Sequence, residues 1–151
     1  MLNKIVSYTM EEVNDKQEKV MKRILVSLSL LMALVAVPSF ANDAVIANAF
    51  ESKHSDVQVN GSGTVIRLLP DDTQGSKHQK FILKLKIKQT ILVSHNIDLA
   101  PRVQALNVGD IVQFNGEYEW SKKGGVVHWT HKDPQGRHVH GWLKHNGRLY
   151  Q

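Results

Sequence analysis

The chain has 151 residues, with 19 Lys and Arg against 14 Asp and Glu, a formal net charge of +5 with its eight histidines neutral, and no cysteine. The missing thiols exclude disulfide scaffolding, thiol catalysis and a lipidated cysteine, and leave nitrogen and oxygen as the ligands any metal site must use. The mild basicity would favour anionic surfaces, but it is spread along the chain and does not by itself mark a nucleic-acid binder.

Residues 1–20 carry Lys4, Glu11, Glu12, Asp15, Lys16, Glu18 and Lys19 with little apolar periodicity. From Met21 the pattern changes to Lys22-Arg23, the apolar run Ile24 to Val37, then Pro38-Ser39-Phe40-Ala41. Those are the charged, apolar and small-residue regions of a secretory signal, and the run is too short for a membrane span of roughly 20 residues. We therefore expect a mis-assigned extension over 1–20, a signal over 21–41, and a periplasmic or secreted domain over 42–151 with no stable membrane insertion after cleavage. About 110 residues make one small domain.

Within that domain, Ala44 to Ser52 spaces Ile46, Ala49 and Phe50 as a short helix does. Val57 to Leu69 alternates as a strand, with Gly61-Ser62-Gly63 suggesting a bulge. Gln79 to Lys88 puts Phe81, Leu83, Leu85 and Ile87 on one face and four lysines on the other, and Thr90 to Ile97 is its hairpin partner. Asp98 can cap a helix with Leu99, Val103 and Leu106 on one side, ending near Asn107. Ile111 to Trp120 reads as a strand wet on one face, Gly125 to His131 and His138 to Leu143 as a final hairpin around Asp133-Pro134-Gln135-Gly136.

Three strands, a short helix and two or more strands is the element order of an oligonucleotide/oligosaccharide-binding (OB) barrel. The expected fold is all-β with short helices, a small OB-like barrel of five to six strands; another small open barrel or a sandwich is the competitor. GSGTVIRLLPDDTQGSKHQKFIL, SHNIDLAPR, VGDIVQFNGEYEW and GGVVHWTHKDPQGRHVHGW resemble a bacterial domain-of-unknown-function family, number 3465, of small exported proteins, and the likeness covers nearly all of the expected mature chain. The resemblance implies export and supplies no activity.

Between Gly124 and Gly147 lie five of the eight histidines and two of the three tryptophans. If Trp120 pairs with Gly125, and Asp133 with Arg137, the faces sort themselves. Tyr118, Val127, Trp129, Val139 and Leu143 then point to the apolar side, and Asn115, Glu117, His128, Thr130, His140 and Trp142 to the other. Glu117 would face His128, and His128 would face Trp142. Such a face is a candidate ligand surface; the plainer reading is an exposed cross-strand pair. A slip of one residue would exchange the two faces.

A divalent metal such as zinc is the one cofactor the histidines suggest, with His128, His131, Asp133, His138 and His140 as candidate ligands, although His128 and His131 on one strand would point to opposite faces. His78, His95, Asp98 and Arg102, with Asp71 and Asp72, could join them at one end of the barrel. Their plainer roles are turn residues, a helix cap, a solvated charge and a half-buried imidazole. No G-x-S-x-G turn or phosphate cradle is present in the sequence. The expected function is an exported binding or interaction module for a small ligand or envelope protein. The alternatives are a metal-dependent hydrolase, such as a phosphodiesterase, and a binder of single-stranded nucleic acid or oligosaccharide. Lys80, Lys84, Lys86 and Lys88 lie opposite the apolar face with no exposed aromatic ring between them, which makes nucleic acid the less favoured partner.

Overall fold

Apolar residues recurring at alternate positions build the strands of this chain, and the computed structural model describes residues 12–22 and 40–151. The helix α1 over 12–22 belongs to a separate unit, Met1–Pro38. It is exposed along its length and carries i,i+4 pairs, Lys19 to Asp15 at 2.7 Å and Lys22 to Glu18 at 2.6 Å, instead of an apolar face. The apolar run expected to be the signal core lies outside the described residues.

The second unit, Ser39–Gln151, contains α2 (Phe40–Glu51), β1 (Val57–Leu68), β2 (His78–Leu85), β3 (Thr90–Asn96), β4 (Ile111–Glu119), β5 (Val126–His128), β6 (Trp142–His145) and β7 (Arg148–Tyr150). Five strands close a barrel in the order β1-β2-β3-β5-β4 and back to β1. Every pairing is antiparallel except the β3–β5 seam, where Leu92 lies beside Val126 and Val93 beside Val127. The 12-residue β1 serves two neighbours, its first half pairing with β4 and its second with β2. This is the OB-like order expected from the sequence, with β6 and β7 extending the sheet past the barrel.

Inward residues at every second position fill the interior: Val59, Val65, Phe81, Leu83, Ile91, Val93, Val112, Phe114, Tyr118, Val127 and Leu143 are all buried. Helix α2 joins that core through Ile46 and Ala49, and the Trp120 indole donates to the Phe50 carbonyl at 3.1 Å.

Three local expectations need correction. The bulge in β1 falls between Val65 and Arg67, not at Gly61-Ser62-Gly63. There the glycines serve close packing, since a Cβ on Gly61 would come within 2.8 Å of the Phe114 ring. Residues 98–107 form turns, not a helix. The Gln79 side chain explains this: it accepts from the Val103 N–H at 2.9 Å and donates to the Val103 carbonyl at 3.2 Å, satisfying backbone groups that a helix would pair internally. Ala100, Val103 and Leu106 are buried while Leu99 is exposed, so the apolar spacing belongs to a turn sequence. Ile87 has left β2 for the following turn and is exposed.

The largest departure is at the C-terminus. β5 and β6 do not pair with each other; both run beside β4, β5 against Glu117–Glu119 and β6 against Val112–Asn115. The chain leaves the sheet after His128, makes an excursion over 129–141, and returns to the same strand. β7 was not expected, although Asn146-Gly147 is the usual two-residue turn signal: both residues have positive φ, and His145 pairs with Arg148 across them.

Candidate functional site

The outer face of β4 carries Asn115, Glu117 and Glu119, and β5 lays His128 directly opposite Glu117. That pairing is the one expected from a Trp120–Gly125 hairpin, and its neighbours Tyr118 to Val127 and Glu119 to Val126 follow the same register. His128 Nε2 lies 3.6 Å from Glu117 Oε1 and 3.6 Å from Glu119 Oε1. These distances exceed those of hydrogen bonds, and Nε2 is cut off from solvent with no hydrogen-bond partner among the described residues. His138 Nδ1 stands 3.5 Å from the other oxygen of Glu117.

Trp129 opens the excursion. Its φ of +49° is a left-handed conformation that bulky residues rarely adopt and that costs on the order of 1–3 kcal/mol. This kink ends β5 and brings the indole under His138, ring centroids 3.7 Å apart with planes 22° from parallel. Gly141 lets the returning chain pass close by: a Cβ there would collide with the Trp129 carbonyl, and the carbonyl of Asn115 is 2.8 Å away.

Asp133 holds the excursion in shape. Its carboxylate accepts from the N–H groups of Gln135 at 2.9 Å, Arg137 at 2.5 Å and His138 at 2.8 Å. Those bonds, the one from Gln135 foremost, hold its pKa below the ordinary carboxylate value. The Asp133 N–H donates to His140 Nδ1 at 3.1 Å, and the Asn115 side chain donates to the His140 carbonyl at 2.9 Å. His131 is buried, donates from Nδ1 to the Lys132 carbonyl at 2.7 Å and rests against Trp129.

A family model described as a protein of unknown function, DUF3465, matches residues 28–151, most of the chain. The chain belongs to the DUF3465 family. No curated protein gives a significant match.

In this DUF3465 domain the five expected metal ligands do not meet as a set. Among the described residues, the group whose ligand atoms lie within 4.8 Å of one another is Glu117, Glu119 and His128. Asp133, His131 and His140 are instead committed to the loop's own bonds, and His138 reaches the face only at its edge. Trp142 is displaced from His128: it lies opposite Asn115 and lines a shallow depression with Asn42, Asn60 and Gln113.

The rest of the expected constellation is spent locally. Asp71 and Arg102 form a two-pronged ion pair at 2.5 and 3.0 Å. Asp98 accepts the Lys77 N–H at 2.8 Å, Asp72 pairs with Lys80 at 3.4 Å, and His78 Nδ1 donates to the Ser76 carbonyl at 2.7 Å. His95 is inside the barrel. Its Nε2 donates to the Pro101 carbonyl at 3.1 Å, which leaves Nδ1 to accept the Thr130 hydroxyl at 2.8 Å. Thr130 therefore faces inward, contrary to the expected outward position, because the buried imidazole needs a donor. Burial is the main cause that lowers the His95 pKa to about 4, so the ring is neutral at pH 7.

Two members of the site were not singled out from sequence. Glu119 shares the outer face of β4 with Glu117 by simple alternation, which is the signal that could have found it. Trp129 was assigned to the apolar side; no composition signal foretells its positive φ.

Proposed function

We propose that this domain is an exported binding module, not primarily an enzyme, whose ligand face is formed by Glu117, Glu119, His128, Trp129 and His138. One observation carries the reading: two carboxylates and an imidazole converge, half-buried, without bonding one another. Folding gains little from such an arrangement, because like charges side by side repel and the ring nitrogen they surround is unsatisfied. The strained Trp129 and the loop wound on Asp133 hold an aromatic plate beside it, and strain of this kind gathers at ligand sites. Export rests on the charged, apolar and small-residue succession over 21–41.

A metal-dependent hydrolase is the second reading, favoured by the same Glu117, Glu119 and His128 group, which as a metal site could activate water. Export is tested by expressing the full chain in a bacterial host, fractionating the cells and weighing the product. A periplasmic or extracellular chain beginning at Asn42 is expected, and a cytoplasmic chain retaining residues 22–41 would contradict it. Binding is tested by amide chemical-shift mapping with zinc chloride, a short single-stranded DNA and a chitin oligosaccharide as probes. Shifts clustered on 117–119, 128–129 and 138 support the reading; shifts confined to the lysines of β2 would move the face elsewhere.

A further inference from the structure

The geometry points to a divalent transition-metal site of zinc type in which Glu117 Oε1, Glu119 Oε1 and His128 Nε2 are the protein ligands; the inference rests on the binding face proposed above. The first ground is spacing. Ligand atoms at about 2.0–2.2 Å from a tetrahedral ion stand roughly 3.3–3.6 Å from one another, whereas direct hydrogen bonds would draw them to about 2.8 Å. The two nitrogen-to-oxygen distances are 3.6 Å, nearer the former.

The second ground is the state of His128. Its Nε2 has neither solvent nor a hydrogen-bond partner among the described residues, yet it is aimed between two carboxylate oxygens. Unprotonated, its lone pair would face two negative charges; protonated, it would be too far from either for a sound bond. A cation between the three removes both conflicts, giving the nitrogen lone pair an acceptor and the carboxylates a shared counter-charge. Glu117 is turned for this, since its other oxygen lies toward His138.

The donor set chooses the class of ion. An imidazole with two carboxylates suits zinc, nickel or copper, whereas calcium and magnesium prefer all-oxygen shells. The Glu117 and Glu119 side chains keep a fifth and about a third of their surface open, and water would reach the ion from the carboxylate side.

The test is calorimetric titration of the full-length protein with zinc chloride, alongside Glu117→Gln, Glu119→Gln and His128→Gln. The amides keep the side-chain shapes, and far-ultraviolet circular dichroism checks that each variant is folded. One ion per chain is expected, with a loss of more than about tenfold in affinity for each variant. His54→Gln, at an exposed position, is expected to bind as the parent does. Equal zinc affinity in all folded variants, or no stoichiometric binding, overturns the site; calcium binding as tight as zinc overturns the class of ion. If zinc is ignored while the DNA or oligosaccharide probe still shifts residues 117–129, the metal assignment falls and the binding face stands. If no probe moves those residues, both fall.

Discussion

His95 has no solvent-exposed surface and is nevertheless ionisable, which makes it the residue at which pH acts on this fold. Unfolded, it would take a proton near 6.5; folded, burial holds that value down to about 4. Its contribution to stability is therefore complete above pH 6.5 and is lost as pH falls from 6.5 to 4, in all about 3 kcal/mol. Urea melts at pH 7.5 and pH 4.5 should show most of that loss, and His95→Gln should flatten the dependence in this interval. Asp72, Asp110 and Asp133, with pKa values lowered by N–H and lysine or histidine partners, act in the same direction only below the ordinary carboxylate range. The residue identities hinted at little of this: a histidine in an apolar alternation gives no sign of which hydroxyl will reach it. Thr130 reaches His95 from 35 positions away, after a kink that sequence periodicity cannot show.

At the scale of elements, the excursion 129–141 behaves as a loop wound on one carboxylate. Asp133→Ala removes the acceptor of three backbone N–H groups, so the midpoint of thermal unfolding should fall and His138 should leave Trp129. Trp129 emission, isolated by difference against Trp129→Phe, should then rise; Asp133→Asn, which keeps one acceptor oxygen, should change it less. Unchanged emission in Asp133→Ala would show that the stacking does not depend on the loop. The strands β1 to β4 were readable because each returns apolar residues to one face at alternate positions, and the short loop after Trp120 fixed Glu117 against His128. Where backbone groups found side-chain partners, reading failed. Gln79 replaced the helix expected over 98–107, and Trp129 and Asp133 replaced the expected final hairpin.

For the whole molecule, closure depends on its shortest seam. β3 meets β5 through two residue pairs, supported by the Leu92 N–H to Gly125 carbonyl bond at 3.0 Å, whereas β2 and β3 share seven pairs. Local opening should begin there, because so few buried bonds hold it. Amide hydrogen exchange should be faster at Val126 and Val127 than at Phe81 or Val93, and zinc should slow it, since an ion joining β4 to β5 stabilises the closed form. Equal protection across the barrel would place its weak point elsewhere. The barrel was legible as an order of elements, but the sharing of β4 between β5 and β6 was not, because two strands collinear beside a third have the same alternation as two strands paired with each other. The family match covers residues 28–151 and leaves chemistry to the face itself.

That face is tested most directly by crystals of the protein grown with zinc and recorded on both sides of the zinc absorption edge. A single anomalous peak within bonding distance of Glu117, Glu119 and His128 is the expected result. A peak among His131, Asp133 and His140, or none at any of these residues, would contradict it.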